Sequence, residues 1–276
     1  MSAARSLSSS SSSPDRSAVS PKSRQRLSSD GGAVLTALGA LPAGFRRIAR
    51  DSLPSTNAEA FARARAGEIG GLWVTAAEQS AGRGRRGRPW TTGRGNLAAS
   101  VLLIDPAPPA VAATISFVAA VALHQAIVDV AGPPVAERLA LKWPNDLLLD
   151  RRKVAGILVE GEGLADGRFA AVVGFGVNCV SHPDVDAPVP VDDLASRGVP
   201  VEAEALFAAL APCLAIELIR WDAGAGFAAV RSAWLARAVG VGEAIRVNLE
   251  GRTVDGRFED LDAEGRLVLV GTGGVR

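Results

Sequence analysis

A chain of 276 residues, 48% hydrophobic and with a formal net charge of +1, can bury one sizeable core plus a small satellite, and its near-neutral balance argues against a broad nucleic-acid footprint. Two distant cysteines, Cys179 and Cys213, build no disulfide framework and fit a reducing compartment, while two histidines exclude a histidine-rich metal site. The most apolar run, Val111 to Val130, carries His124, Gln125 and Asp129 and follows Pro108-Pro109, which favours a buried or amphipathic helix over a membrane span.

Residues 1–30 are serine-rich, with six consecutive serines from Ser8 to Ser13 and a net charge of +3. The segment has no hydrophobic secretory core and is too polar to fold, so plain disorder is the expectation, with a targeting peptide or an upstream start as alternatives. It leaves no room for a helix-turn-helix domain before the main domain opens near Gly31. Ala33 to Leu41 reads as a short lead-in element and Phe45 to Leu53 as a strand. Ser55-Thr56-Asn57 precedes an alanine-rich helix over Ala58 to Ala66. These three residues serve as helix caps, or place a hydroxyl against a polar ligand as well. After the Gly70-Gly71 turn, a strand from Leu72 to Ala76 leads to Gln79.

The next segment, Gly82-Arg83-Gly84-Arg85-Arg86-Gly87-Arg88-Pro89-Trp90, puts four arginines and three glycines in nine residues. It cannot pack in a core, because unpaired buried guanidiniums are too costly. Three readings stand: a solvated basic turn, a nucleic-acid contact, or a loop that orders around an anion through arginine forks and close glycine backbone. Asn96 to Ile104 reads as a buried strand and Thr114 to Val130 as a long helix stopped by Gly132-Pro133-Pro134.

Ala140 to Leu149 is apolar at both ends with Lys142-Trp143-Pro144-Asn145-Asp146 between, and Pro144 predicts a strand break exposing Lys142, Asn145 and Asp146 together. Asp150-Arg151-Arg152 is a polar turn, and Lys153 to Glu160 returns as a strand. Strict alternation places Lys153 on one face with Ala155, Ile157 and Val159, as a snorkelling strand-end lysine or as a charge held against an anion. Phe169 to Phe175 is a strand that ends in Gly174-Phe175-Gly176-Val177-Asn178, where the glycines admit close backbone approach and Asn178 can read a polar edge. Ser181 to Pro190 is a surface connector. A long helix spans Glu202 to Trp221, kinked or divided at Pro212 and with Cys213 in the core, and another spans Ala223 to Trp234 with Phe227, Val230 and Trp234 on its packed face. Beyond Gly240, short strands at Glu243 to Leu249, Arg252 to Leu261 and Leu267 to Val270 form a small barrel too short to stand alone.

Taken together, the Arg-Gly segment ending in Trp90, Lys142 to Asp146, Lys153 to Glu160, Gly176 to Asn178 and Ser55-Thr56-Asn57 resemble, in order and spacing, the biotin protein ligases, over about residues 45 to 276. The resemblance is to the monofunctional type without a DNA-binding domain. It implies an α+β fold, a mixed central sheet flanked by helices as in class II aminoacyl-tRNA synthetases, with a small C-terminal SH3-like β-barrel. The implied divisions are a tail over 1–30, a catalytic domain over 31–239 and the small domain over 240–276. The implied reaction uses biotin, ATP and Mg²⁺ to make biotinyl-5'-AMP, then moves biotin to a lysine of a biotin carboxyl carrier protein domain. Carried over by position, Ser55, Thr56, Gln79, Gly82, Arg83 and Lys153 are the expected biotin contacts. Arg85, Arg88, Trp90, Lys142, Asn145 and Asn178 are the expected nucleotide contacts, with Trp90 stacking on adenine. Arg85, Lys142 and Lys153 are the expected catalytic residues, and loss of Arg85 is expected to leak the activated intermediate. Asp146 is the expected Mg²⁺ ligand. The resemblance also implies a cytoplasmic monomer or homodimer, with no DNA or membrane partner. Lipoate or octanoyl attachment, a nucleic-acid-binding module and a non-catalytic biotin or nucleotide sensor are the competing readings; the Lys-Trp-Pro-Asn-Asp motif, the near-neutral charge and the retained cations weigh against them in turn.

Overall fold

In the computed structural model, residues 41–185, 189–249, 251–271 and 274–275 are described. The expected tail and all of the lead-in element except Leu41 lie outside them. Seven strands build the main sheet: β1 (Arg46–Leu53), β2 (Leu72–Gln79), β3 (Leu97–Ile104), β4 (Leu139–Lys142), β5 (Asp146–Leu149), β6 (Arg152–Gly163) and β7 (Phe169–Val177). Their spatial order is β1-β2-β3-β7-β6-β5-β4. Only β1 and β2 run parallel, because the helix between them, α1 (Thr56–Arg65), returns the chain to the starting edge. Every other pair is antiparallel, so the sheet is mixed, as expected.

One face of the sheet is covered by α3 (Ile115–Ala131), preceded by the single turn α2 (Pro109–Ala112), and by α4 (Ala203–Trp221) and α5 (Phe227–Leu235). The long apolar run of α3 is thus core: Ile115, Val118, Leu123 and Ile127 are fully buried. α4 is not divided at Pro212. Buried Leu206, Phe207, Leu210 and Ala211 before the proline, and Leu214 and Trp221 after it, hold both halves against the same core. That packing outweighs one lost intrahelical hydrogen bond, which costs about 3 kcal/mol. Cys213 is only half-buried, and its Sγ contacts Asp129 Oδ2 at 3.4 Å, because it sits at the edge of the α3–α4 contact rather than in the core.

Among the described residues, the helix that covers the opposite face is α1, through Ala60, Phe61 and Ala64 on Leu72, Val74, Leu102, Ala170 and Val172. Ser55 caps that helix by accepting from the Ala58 amide. Beyond the reach of α1, this face is open over β5, β6 and the end of β7.

The C-terminal strands β8 (Ala244–Leu249), β9 (Arg252–Leu261), β10 (Leu267–Gly271) and β11 (Gly274–Val275) form an antiparallel sheet in the order β11-β10-β9-β8. Phe258, Leu261 and Leu269 join the main apolar core. Arg231 Nε donates to the Leu261 carbonyl at 2.6 Å, fastening this small sheet to α5.

Candidate active site

The open part of the sheet face is the floor of a cleft of about 940 Å³. β7 shows how its sequence makes that floor. Its alternate residues Val173, Phe175 and Val177 enter the core below, while Ala170 and Val172 pack under α1 on the upper face. Further along that same upper face stand Gly174 and Gly176, where no side chain rises. A Cβ on Gly174 would lie 2.3 Å from Asn57 Oδ1, and one on Gly176 would lie 2.3 Å from the Trp90 ring. Gly156 on β6, paired with Gly176, completes the floor.

The Arg-Gly segment forms one wall. It is a short ribbon rather than an open coil: Gln79 bridges Thr92, Arg83 bridges Pro89, and the Trp90 amide donates to the Gly82 carbonyl at 2.9 Å. Gly82 itself lies behind the wall, where a Cβ would meet the Trp90 carbonyl at 2.3 Å. At the tip, Arg86 takes a left-handed conformation (φ 58°), and Arg85 points inward to donate to Asn145 Oδ1 at 3.3 Å. Trp90 lies on the glycine floor, its ring centroid 5.4 Å from Lys153 Nζ.

The second wall is the β4–β5 hairpin. Lys142 pairs with Asp146 across it, and the Trp143–Pro144 peptide in the turn is cis. Asn145 Nδ2 donates to the Ile157 carbonyl at 2.6 Å, tying the turn to β6. The expected strand break therefore takes the form of a tight hairpin that presents Lys142, Asn145 and Asp146 to one cleft. Trp143 Nε1 donates to the Gly265 carbonyl at 3.3 Å, so the turn also rests on the C-terminal sheet. Ile245, Arg246, Val247 and Asn248 of β8 line the far end.

Lys153 departs from the alternation expected of it. Leu147 pairs with Ala155 but Leu148 pairs with Lys153, so Val154 is an extra residue in a β-bulge. Val154 and Ala155 both turn into the core, and Lys153 shares the cleft face with Gly156 instead of the core face with Ala155 and Ile157. Its Nζ stands 2.6 Å from Asp146 Oδ1. The approach is ionic, since that buried oxygen has no aligned hydrogen-bond donor.

Ser55, Thr56, Gln79, Arg83, Arg85, Arg88, Trp90, Lys142, Asn145, Asp146, Lys153 and Asn178 all line this cleft. Burial, then the neighbouring Arg86 charge, hold the Arg85 guanidinium below its ordinary pKa, with Asp146 acting in the opposite sense. Arg85 remains cationic at any physiological pH. Gln79 Oε1 accepts from the Thr56 amide at 2.8 Å, with the Thr56 hydroxyl oxygen 3.1 Å away. Asn178 is buried, and its Nδ2 donates to the Asp192 carbonyl at 3.0 Å, bracing the rim. Burial pushes the Cys179 thiol up to about 11 and the Cys213 thiol up to about 12, so neither is a ready nucleophile.

Sequence reading assigned no role to Ser100, Arg86 or the β8 residues. The alternate glycines at 174 and 176 were the available signal for a floor; nothing local marks Ser100, which looks like any polar residue in a strand. A second polar cluster, His182, Asp192 and Asp193, sits beside the rim. Its Asp192 carboxylate is engaged by Arg152 and Arg197, and His182 Nδ1 is 2.6 Å from Asp193 Oδ2, which makes it an anchor for the 181–194 segment.

The sequence matches the Biotin/lipoate A/B protein ligase family over residues 48–178 and the Biotin protein ligase C terminal domain over residues 240–276. It is 45% identical over 228 residues to a biotin–acetyl-CoA-carboxylase ligase of Paracoccus denitrificans, covering 80% of this chain and 92% of that one. It is 34% identical to the ligase of the same name from Mycobacterium tuberculosis, covering 78% and 79%. The fold resembles the biotin protein ligase of Aquifex aeolicus solved with biotin and ATP, with a TM-score of 0.67 at 22% identity over 83% of this chain and 94% of that one. With the 45% relative matched over nearly its whole length and both family segments in place, the chain belongs to the biotin protein ligases.

Proposed function

We propose that this protein is an ATP-dependent biotin protein ligase acting in two steps at the glycine-floored cleft. In the first, a biotin carboxylate oxygen attacks the α-phosphorus of ATP, the bond to the pyrophosphate oxygen breaks, and biotinyl-5'-AMP forms. In the second, the neutral amine of a carrier-domain lysine attacks the biotinyl carbonyl carbon. The bond to AMP breaks, an amide forms, and the amine loses a proton. The acceptor is a biotin carboxyl carrier domain. The observation that carries this reading is the convergence of Arg83, Arg85, Arg88, Lys142 and Lys153 over a floor without side chains. Two anions must be brought together, and preorganised cations offset their repulsion and stabilise charge developing on the phosphoryl oxygens.

Ser55, Thr56, Gln79 and Arg83 are assigned to the biotin ring, with Gly82 backing the Arg-Gly wall, and Lys153 to its carboxylate and to the first transfer. Arg85, Arg88, Trp90, Lys142, Asn145 and Asn178 are assigned to the nucleotide, and Arg85 and Lys142 act with Lys153 as catalytic residues. Trp90, lying on the floor between Gly156 and Gly176, divides the two ligand regions in this assignment. Asp146 is the sole carboxylate assigned to Mg²⁺. Among the described residues it belongs to no cluster of three or more potential metal-ligating side chains, and Lys153 already stands beside it. The metal is therefore assigned to the MgATP substrate, with Asp146 as one oxygen ligand, and not to a resident cage.

The finer architecture belongs to the same reading: a class II synthetase-like catalytic domain over 31–239 and an SH3-like domain over 240–276. So does a cytoplasmic location, supported by the two free cysteines.

Exchange of labelled pyrophosphate into ATP tests the first step, and labelling of a carrier domain tests the second. Biotin-dependent exchange and transfer are expected; exchange driven by lipoate and not by biotin would overturn the reading. Arg85→Gly is expected to release biotinyl-5'-AMP, read by labelling of bystander proteins; full retention of the adenylate would remove Arg85 from its assigned role.

A further inference from the structure

A carboxylate stands among the cations of the cleft wall without a role in the scheme above. Glu160, on the cleft face of β6, has Arg83 Nη2 3.4 Å from both of its oxygens. On its other side, Asn57 Nδ2 donates to Glu160 Oε2 at 2.8 Å. From Asn57 the contacts run inward. Asn57 Oδ1 accepts from Ser100 Oγ at 2.6 Å, and Ser100 Oγ lies 2.7 Å from Thr56 Oγ1. Thr56 in turn donates its amide to Gln79 Oε1 at 2.8 Å, with its hydroxyl oxygen 3.1 Å from the same atom. Asn57, Thr56 and Ser100 are buried, at 4%, 4% and 0% exposure, so their contacts cannot be exchanged for water.

These contacts close a ring. Gln79 and Arg83 are the two ends of the first arm of the Arg-Gly ribbon, and the same polar chain joins them through α1, β3 and β6. Gly174 belongs to it by its missing side chain, since a Cβ there would lie 2.3 Å from Asn57 Oδ1. Thr56 and Ser100 have one hydroxyl proton each: with Ser100 donating to Asn57 Oδ1, the Thr56 hydroxyl donates to Ser100 and the Thr56 amide holds Gln79 Oε1, so the donors run from Thr56 through Ser100 and Asn57 to the carboxylate, where Arg83 also points.

We propose that Glu160 is a positioning residue for biotin: its charge fixes Arg83 at the mouth of the biotin site and, through Asn57 and Ser100, orients Thr56 and Gln79 at the other end. The proposal rests on the ligase reading. Glu160 touches no substrate; it sets the geometry of the groups assigned to do so, and its effect falls on biotin and not on ATP.

The test measures pyrophosphate exchange for the wild type, Glu160→Gln, Gly174→Ala, Arg83→Gln and the Glu160→Gln/Arg83→Gln double variant, each with a thermal melt. Glu160→Gln keeps shape and the acceptor for Asn57 but removes the charge. Its biotin KM is expected to rise about tenfold, with the KM for ATP and kcat within about threefold of wild type. Gly174→Ala is expected to raise the same KM by pushing Asn57 aside, and the double variant to be little worse than Arg83→Gln alone. An unchanged biotin KM in Glu160→Gln, whatever its melting temperature, would overturn the proposal. So would full additivity with Arg83→Gln, or equal losses for biotin and ATP. A wild-type protein without biotin-dependent exchange would overturn the ligase reading itself, and the proposal with it.

Discussion

The two faces of β7 obey opposite rules within nine residues. Downward, Val173, Phe175 and Val177 fill the core under α3 and α4, and Phe175 meets the Trp73 ring at 5.8 Å. Upward, beyond Ala170 and Val172 under α1, Gly174 and Gly176 raise no side chain, and a tryptophan from a distant ribbon lies over Gly176. Stability and ligand access are therefore written on alternate residues of one strand, and substitutions one position apart are expected to fail in different ways.

The largest separation comes from the packed face. Phe175→Ala is expected to cost about 3–5 kcal/mol, a fall of about 10 °C in melting temperature, while biotin KM in the folded fraction stays near wild type. A melt unchanged by this substitution would mean that the core face does not carry the fold. On the open face, Lys153→Ala is expected to lower adenylate formation about 100-fold, followed by pyrophosphate release, with a melt close to wild type. Equal loss of stability and rate would return Lys153 to the structural class.

His124, in α3, brings pH into the comparison. It is 5% exposed, and burial first and the Arg237 charge next pull its imidazole from 6.5 to about 4. The unfolded chain takes up this proton at higher pH than the fold does. The contribution is thus intact above about pH 6.5 and is lost as pH falls towards 4, by about 2 kcal/mol at pH 5. Melting curves between pH 7 and 5 should show that loss, and His124→Gln should flatten the slope by its share; an unchanged slope would place the titration elsewhere. The smallest effect is expected for Gly176→Ala. The added methyl displaces the Trp90 ring and raises the KM for ATP about tenfold, with the melt within about 2 °C of wild type. A wild-type KM there would show that the floor tolerates a side chain.

Most elements of the fold were legible because periodicity and punctuation agree with the final packing. Phe227, Val230 and Trp234 mark the buried stripe of α5, and Gly132-Pro133-Pro134 ends α3 where expected. The cleft was legible in its cations because arginines and lysines in short glycine- or proline-bearing segments have few structural uses. The failures share one cause: long-range pairing overrode a local rule. Of the two outcomes expected at Pro212, a kink or a division, the division does not occur, because buried residues on both sides hold α4 together. Lys153 read by alternation goes to the wrong face, because the bulge at Val154 is set by pairing with Leu147 and Leu148. Ser100 carried no signal at all, since its importance comes only from Asn57 and Thr56, more than forty residues away.

That bulge bears on how the chain tolerates length changes. Removing Val154 alone would leave composition, charge and nearly every strand residue in place. It would also remove the bulge and restore strict alternation, with Lys153 still opposite Leu148 on the cleft face and Ala155 still on the core face. In the loop beyond β6, where Asp166 and Gly167 make a turn, a single-residue deletion would change little more than the turn itself. A one-residue deletion inside the regular run between Gly156 and Glu160, by contrast, would put Lys153 and Glu160 on opposite faces of the sheet, so the position of a gap along β6 decides whether it is silent or removes a cleft residue.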